Sequence, residues 1–285
     1  MTDRNVVIVV GADAVQSGAA PVVRDIADRT LTGVVNTWPA KGLFPWNHPA
    51  HLGTMGLQAR DVELAGLAGF DDVVLCGVSN DELNRGELDR LGVRWREVLP
   101  ADLGAESFPV RDEPTPRPAL YTDLAAVCGP LYALDATPLN PARAAADLAG
   151  ALPDGGVVCA DAGRSGFWIG RTFATRTLGS VQLPVRAAAG FAATQAAMAR
   201  RLGRFSVAIV DTVDAGTEAV MSRAADLVVE VWTDDGSGEA LDSQGRLDQL
   251  VAAHDGGGVH VLRLAIDFGA IDALVAVAGA PRWTA

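Results

Sequence analysis

The chain has one lysine, Lys41, against twenty-two arginines. With abundant alanine, that imbalance reads as coding bias. The formal net charge of −12 excludes nucleic acid and anionic membrane surfaces as partners, because an acidic surface repels both. No run approaches the roughly 18 uncharged apolar residues of a membrane-spanning helix. The opening apolar run, 6–10, is too short for a secretion signal and reads as a first strand. Cysteine is scarce: Cys76, Cys128 and Cys159 stand far apart in apolar surroundings, as buried free thiols of a cytoplasmic protein do. Also missing are a G-x-S-x-G elbow, a paired Cys/His arrangement and a P-loop.

What is present is a globular α/β pattern. Apolar residues make up 49% of the chain, enough for sizeable cores. Strands are expected at 6–10, 32–35, 72–76 and 93–98. Helix-compatible stretches fall between them, from 18 onward, at 58–68 and at 81–91. That alternation predicts a doubly wound parallel sheet. Residues 100–118 turn proline-rich, charged and aperiodic, an interdomain linker, and 120–134 read as a helix across the junction. Asn140 followed by Pro141 is a helix start. A second alternation follows: strands at 156–160, 206–210, 227–231 and 259–264, with helices at 165–173, 187–202, 216–224, 246–254 and 270–277. The fold class is therefore α/β, two doubly wound parallel-sheet (Rossmann-like) domains. They cover 1–99 and 136–285, with 100–135 as linker and junction.

The least generic stretch is 34–56. It holds Lys41, three prolines, two tryptophans, and His48 and His51, whose spacing fits no metal site and suits hydrogen bonding that orders the loop. A long loop at the C-terminal end of a strand is where open α/β sheets bind ligands. The pattern Thr37-x3-Lys41-Gly42-x2-Pro45-x2-His48-Pro49-x3-Gly53-x2-Gly56 resembles the central domain of thiamine diphosphate enzymes of the acetolactate synthase and benzoylformate decarboxylase group. Some of those enzymes carry ADP or FAD there, which would involve Gly11, Ser17 and Lys41. The Gly11 turn lacks the G-x-G-x-x-G spacing, and a plain strand-to-helix turn is the competing reading.

Residues from about 136 onward are similar to the family's diphosphate-binding domain. The resemblance places the cofactor on Asp161, Gly163, Arg164, Ser165, Gly190, Phe191 and Thr212. Its Mg²⁺ motif is altered: Thr212 stands where an aspartate is expected, and Asp211, Asp214, Asp234 and Asp235 occur instead. Those four either gather Mg²⁺ or each cap the helix or loop that follows. The resemblance omits the family's pyrimidine domain. It implies an oligomeric subunit of a split 2-oxo acid decarboxylase or carboligase, completed by a pyrimidine-domain protein or a complete homologue. The alternatives are a catalytically inactive scaffold or regulatory homologue, and a nucleotide or small-ligand binder using the first domain.

Overall fold

The computed structural model describes residues 4–282. The first half runs β1 (Val6–Val10), α1 (Ala12–Gln16), α2 (Ala20–Thr30), β2 (Gly33–Thr37), β3 (His51–Met55), α3 (Asp61–Leu64), β4 (Asp72–Cys76), α4 (Arg85–Arg90) and β5 (Trp95–Val98). These strands form one parallel sheet in the order β3-β2-β1-β4-β5. Helix α5 (Ala119–Ala133) bridges to the second half. There α6 (Pro141–Ala151), β6 (Val157–Ala160), α7 (Arg164–Thr172), β7 (Val181–Gln182), α8 (Phe191–Arg201), β8 (Ser206–Val210), α9 (Ala215–Met221), β9 (Leu227–Thr233), α10 (Ser243–Gly256), β10 (Val259–Ala265) and α11 (Ile271–Ala278) follow. The second parallel sheet has the order β10-β9-β8-β6-β7. The α/β class and the two doubly wound sheets are as the hydrophobic pattern implies, since strands covered on both faces read as continuous apolar runs.

Four local features go beyond the sequence reading. The stretch 34–56 is not all loop: β3 lies inside it, paired with β2 across a register shift at Val34/Val35. Gly53 sits at φ +125°, which hides the strand from pattern reading. The helix expected at 58–68 contracts to α3 and a short 3₁₀ turn, because Gly66 takes a left-handed conformation. The 100–118 stretch straps the first sheet: the Gly33 N–H donates to Thr115 Oγ1 at 3.0 Å, and Leu103 is buried. Finally, β7 is only two residues long, too short to leave a periodic signal.

Each sheet buries one face in a core of its own and the other in a core that the two halves share. One core cluster runs from Val9, Leu57 and Val62 through Leu124 of α5 to Trp168 and Trp232. The ion pair of Arg171 on α7 with Asp61 on α3, in which Nη2 donates to both carboxylate oxygens at 2.8–2.9 Å, lies where those halves meet, both side chains almost fully buried. All three cysteines are buried and unpaired. Among the described residues no helix is long and apolar enough to cross a membrane.

Candidate functional site

In a doubly wound sheet the ligand crevice opens where neighbouring strands send their connections to opposite sides. The first sheet has that point between β1 and β4, and there it is closed. A Cβ on Gly11 would fall 2.3 Å from the Gly77 carbonyl oxygen. The buried Glu82 carboxylate fills what remains. Its Oε1 accepts from Ala12 N at 2.8 Å and Thr37 Oγ1 at 2.6 Å, and its Oε2 accepts from Ser79 N at 2.8 Å. An acid of the chain thus holds the position a phosphate would take. Ser17 donates its hydroxyl to the Asp13 carbonyl at the other end of α1. Lys41 lies after the 3₁₀ turn Trp38–Ala40. Lys41 lines two grooves, one of them beside Val15 and Gln16 of α1.

The second sheet has its crossing point between β6 and β8, and own carboxylates cap the helices there too. Asp211, after β8, takes the start of α7: its oxygens accept from Arg164 N at 2.7 Å and Ser165 N at 2.8 Å. Gly163 makes this approach possible, with φ +146° and a Cβ position that would lie 2.2 Å from Asp211 Oδ2. Asp161, after β6, accepts from Ala192 N in the first turn of α8 at 2.7 Å. Asp214 caps its own helix, α9, accepting from Thr217 N at 2.7 Å. The starts of α8 and α9 press together through Gly190 and Gly216, where a Cβ on Gly190 would meet backbone at 2.5 Å. Burial pushes the Asp161 pKa up to about 6, helped by Asp214 and Asp211 and opposed by the Ala192 N–H.

The remaining acids are engaged as well. Arg164 reaches over the Phe268 ring and forks onto Asp234 at 2.5 and 2.8 Å. Asp235 accepts from Thr233 Oγ1 at 2.6 Å and Ser237 N at 2.8 Å, which lowers its pKa to about 2. Thr212 is exposed on the rim of a polar depression shared with Asp211, Asp235 and Arg263. Phe191 faces a different groove, one that Lys41 also lines. Among the described residues no three His, Cys, Asp or Glu side chains are disposed to hold a metal ion. Asp211, Asp214, Asp234 and Asp235 all have protein partners here. Each carboxylate is turned to a helix start, a loop or an arginine, the capping alternative.

Sequence reasoning missed one further site. A cavity of about 500 Å³ lies between the halves, lined by Lys41, His51, Leu124, Cys128, Tyr132 and Arg171 among others. Burial, and then the nearby Arg171 charge, lowers the Lys41 pKa to about 7. His51 is held neutral, its pKa lowered by burial to about 4, with ring nitrogens 3.2 Å from the Trp46 carbonyl and 3.0 Å from Asn36 Oδ1. His48 stacks on Phe44 and faces Asp28. Both histidines order the loop. The solitary lysine was the one signal in the sequence that could have pointed to the cavity.

Comparison with known proteins agrees with this architecture. Residues 2–97 match the family model described as thiamine pyrophosphate enzyme, central domain. The acetolactate synthases of Mycobacterium avium and Mycobacterium leprae are each 30% identical over 105 residues. That alignment takes in 35% of this chain and 17% of each relative, so the chain matches only a small part of their length. A structure described as a thiamin diphosphate-dependent enzyme from Mycobacterium smegmatis superposes with a TM-score of 0.68 at 15% identity. It covers 93% of this chain and 62% of the other, a likeness of fold that extends through both sheets.

Proposed function

We propose that the chain, whose residues 2–97 match the central domain of thiamine pyrophosphate enzymes, serves as a scaffold or regulatory subunit beside a cofactor-bearing homologue. The family implies thiamine diphosphate with a divalent metal ion, and the residues present do not fit that pair. A diphosphate needs free backbone N–H groups and a cation to offset its charge. Here Asp211 already accepts from the N–H groups that open α7, with Asp161 and Asp214 close by. That occupation of the α7 start is the observation carrying the reading. A diphosphate would have to displace a hydrogen-bonded carboxylate and then face others of its own sign.

Titration calorimetry of the chain alone with thiamine diphosphate and Mg²⁺ is expected to give no saturable heat. Saturable binding in the micromolar range would overturn the proposal.

A second reading draws on the fold likeness through both halves. In it the chain is one part of a split 2-oxo acid decarboxylase or carboligase, with a pyrimidine-domain protein as partner. It requires that the same titration become positive once such a partner is added.

A further inference from the structure

We propose that Lys41 is the reactive amine of a small-molecule site that captures an aldehyde or ketone with an apolar body as a reversible imine. The site is the cavity between the halves, about 500 Å³ in volume, a size suited to a small organic ligand. Its walls come from Leu120, Leu124, Ala125 and Cys128 of α5 and from Phe173 after α7. Such a lining favours a hydrocarbon or aromatic body over a sugar or phosphate.

Three observations converge on the lysine. Of 23 basic residues, the single one that is not arginine is the one lining this cavity. A guanidinium stays protonated and does not attack carbonyls, whereas a desolvated amine does. Second, among the described residues no carboxylate pairs with Lys41, while the adjacent Arg171 is committed to Asp61. Lys41 is half-buried, and an ammonium that is partly desolvated without a counter-charge sheds its proton more readily, which lowers its pKa to about 7. Third, the lysine is clamped by both halves. The Trp38 indole donates to the Pro184 carbonyl at 2.8 Å, the Lys41 N–H donates to the Trp38 carbonyl, and the Gly42 carbonyl accepts from Gly179 N.

The other ionisable groups around the cavity do not compete for the carbonyl. Burial keeps His51 neutral and pushes the Cys128 thiol up to about 11. Tyr121 and Tyr132 donate their hydroxyls to the carbonyls of Trp46 and Thr172. Arg176 is exposed at the wall and would favour a ligand with an anionic group.

The step balances without an added reagent. The Nζ lone pair adds to the carbonyl carbon while the C=O π pair moves to oxygen, which takes up a proton. Loss of that hydroxyl as water, with the second N–H proton, leaves C=N. Amine and carbonyl become imine and water, with no change of oxidation state.

Reductive trapping tests this. The full chain is incubated with benzaldehyde and sodium cyanoborohydride, then mapped by peptide mass spectrometry. One benzyl group is expected on Lys41, added on the order of a hundredfold faster at pH 7 than to Nα-acetyllysine amide. The rate should level off just above pH 7. Lys41→Met should abolish the label on the peptide that carries position 41, and Ala125→Trp, which fills the cavity from an exposed helix position, should slow labelling there at least about tenfold with the melting temperature preserved. Label confined to the N-terminal amine, a rate equal to that of the model amine, or full-speed labelling of Ala125→Trp would each overturn the proposal. Should Lys41→Met fail to fold, the rate comparison and the Ala125→Trp result decide it.

Discussion

Asp161 follows β6 with one oxygen on the Ala192 N–H and a pKa raised to about 6, chiefly by burial. Its ordinary value is 3.8, so between these limits the folded chain holds a proton that the unfolded chain has released. By linkage, stability from this group falls as pH rises from about 4 to about 6, and the penalty persists above that. Asp161→Asn keeps a hydrogen-bond acceptor and removes the charge. We expect it to match the parent near pH 4 and to exceed it by roughly 1–2 kcal/mol at pH 7.5, after allowing for partial solvent screening; urea unfolding at the two pH values checks this. Gly163 is constrained for steric reasons. At φ +146° with Asp211 Oδ2 in the way of any Cβ, Gly163→Ala should lower stability by about 1–3 kcal/mol, read as a fall in the thermal midpoint. That glycine was marked in the sequence only as one of the residues where the resemblance places the cofactor. Its contact with Asp211 was not, because it joins positions 48 residues apart.

Helix α7 shows how far local signals reach. The sequence implied a helix at 165–173, and the structure has one at Arg164–Thr172. What caps it lies outside the local window: Gly163, at the cap position, has no side chain, and Asp211 supplies the acceptors from the next crossing strand. We expect Asp211→Ala to cost about 1–2 kcal/mol, as for loss of a helix cap, and Asp211→Asn, which keeps an acceptor, to cost less. Circular dichroism melts of the pair distinguish the two. By contrast α6 was fully legible, since Asn140 caps it from the adjoining position by accepting from Arg143 N. Strand β3 was missed because Gly53 breaks its pattern and its partner β2 supplies the pairing. The presence of α6 and α7 could be read from their own residues, whereas the distant partners that cap α7 and pair β3 could not.

For the molecule as a whole, the joint between the sheets rests on Arg171 and Asp61. Asp61 also accepts from the N–H groups of Leu57 and Gln58, so removing the arginine leaves a buried carboxylate only partly satisfied. Arg171→Met is expected to cost about 3–5 kcal/mol and to broaden or split the urea transition as the halves uncouple. Asp61→Asn introduced into that variant should recover part of the loss, a coupling that a double-mutant cycle measures.

The apolar strands, their alternation with helices, the caps at Asn140 and the family likeness of residues 2–97 were determined by the sequence alone, because each rests on neighbouring residues or a fixed short spacing. The identity of the anion at each crossing point was decided only by tertiary structure. Glu82 and Asp211 became legible as occupants once the parallel sheets brought strand ends far apart in sequence within hydrogen-bond distance of helix starts. The cavity around Lys41 arose the same way. Its walls come from both halves and the bridging helix, and the lysine becomes half-buried with no carboxylate beside it only when those surfaces meet.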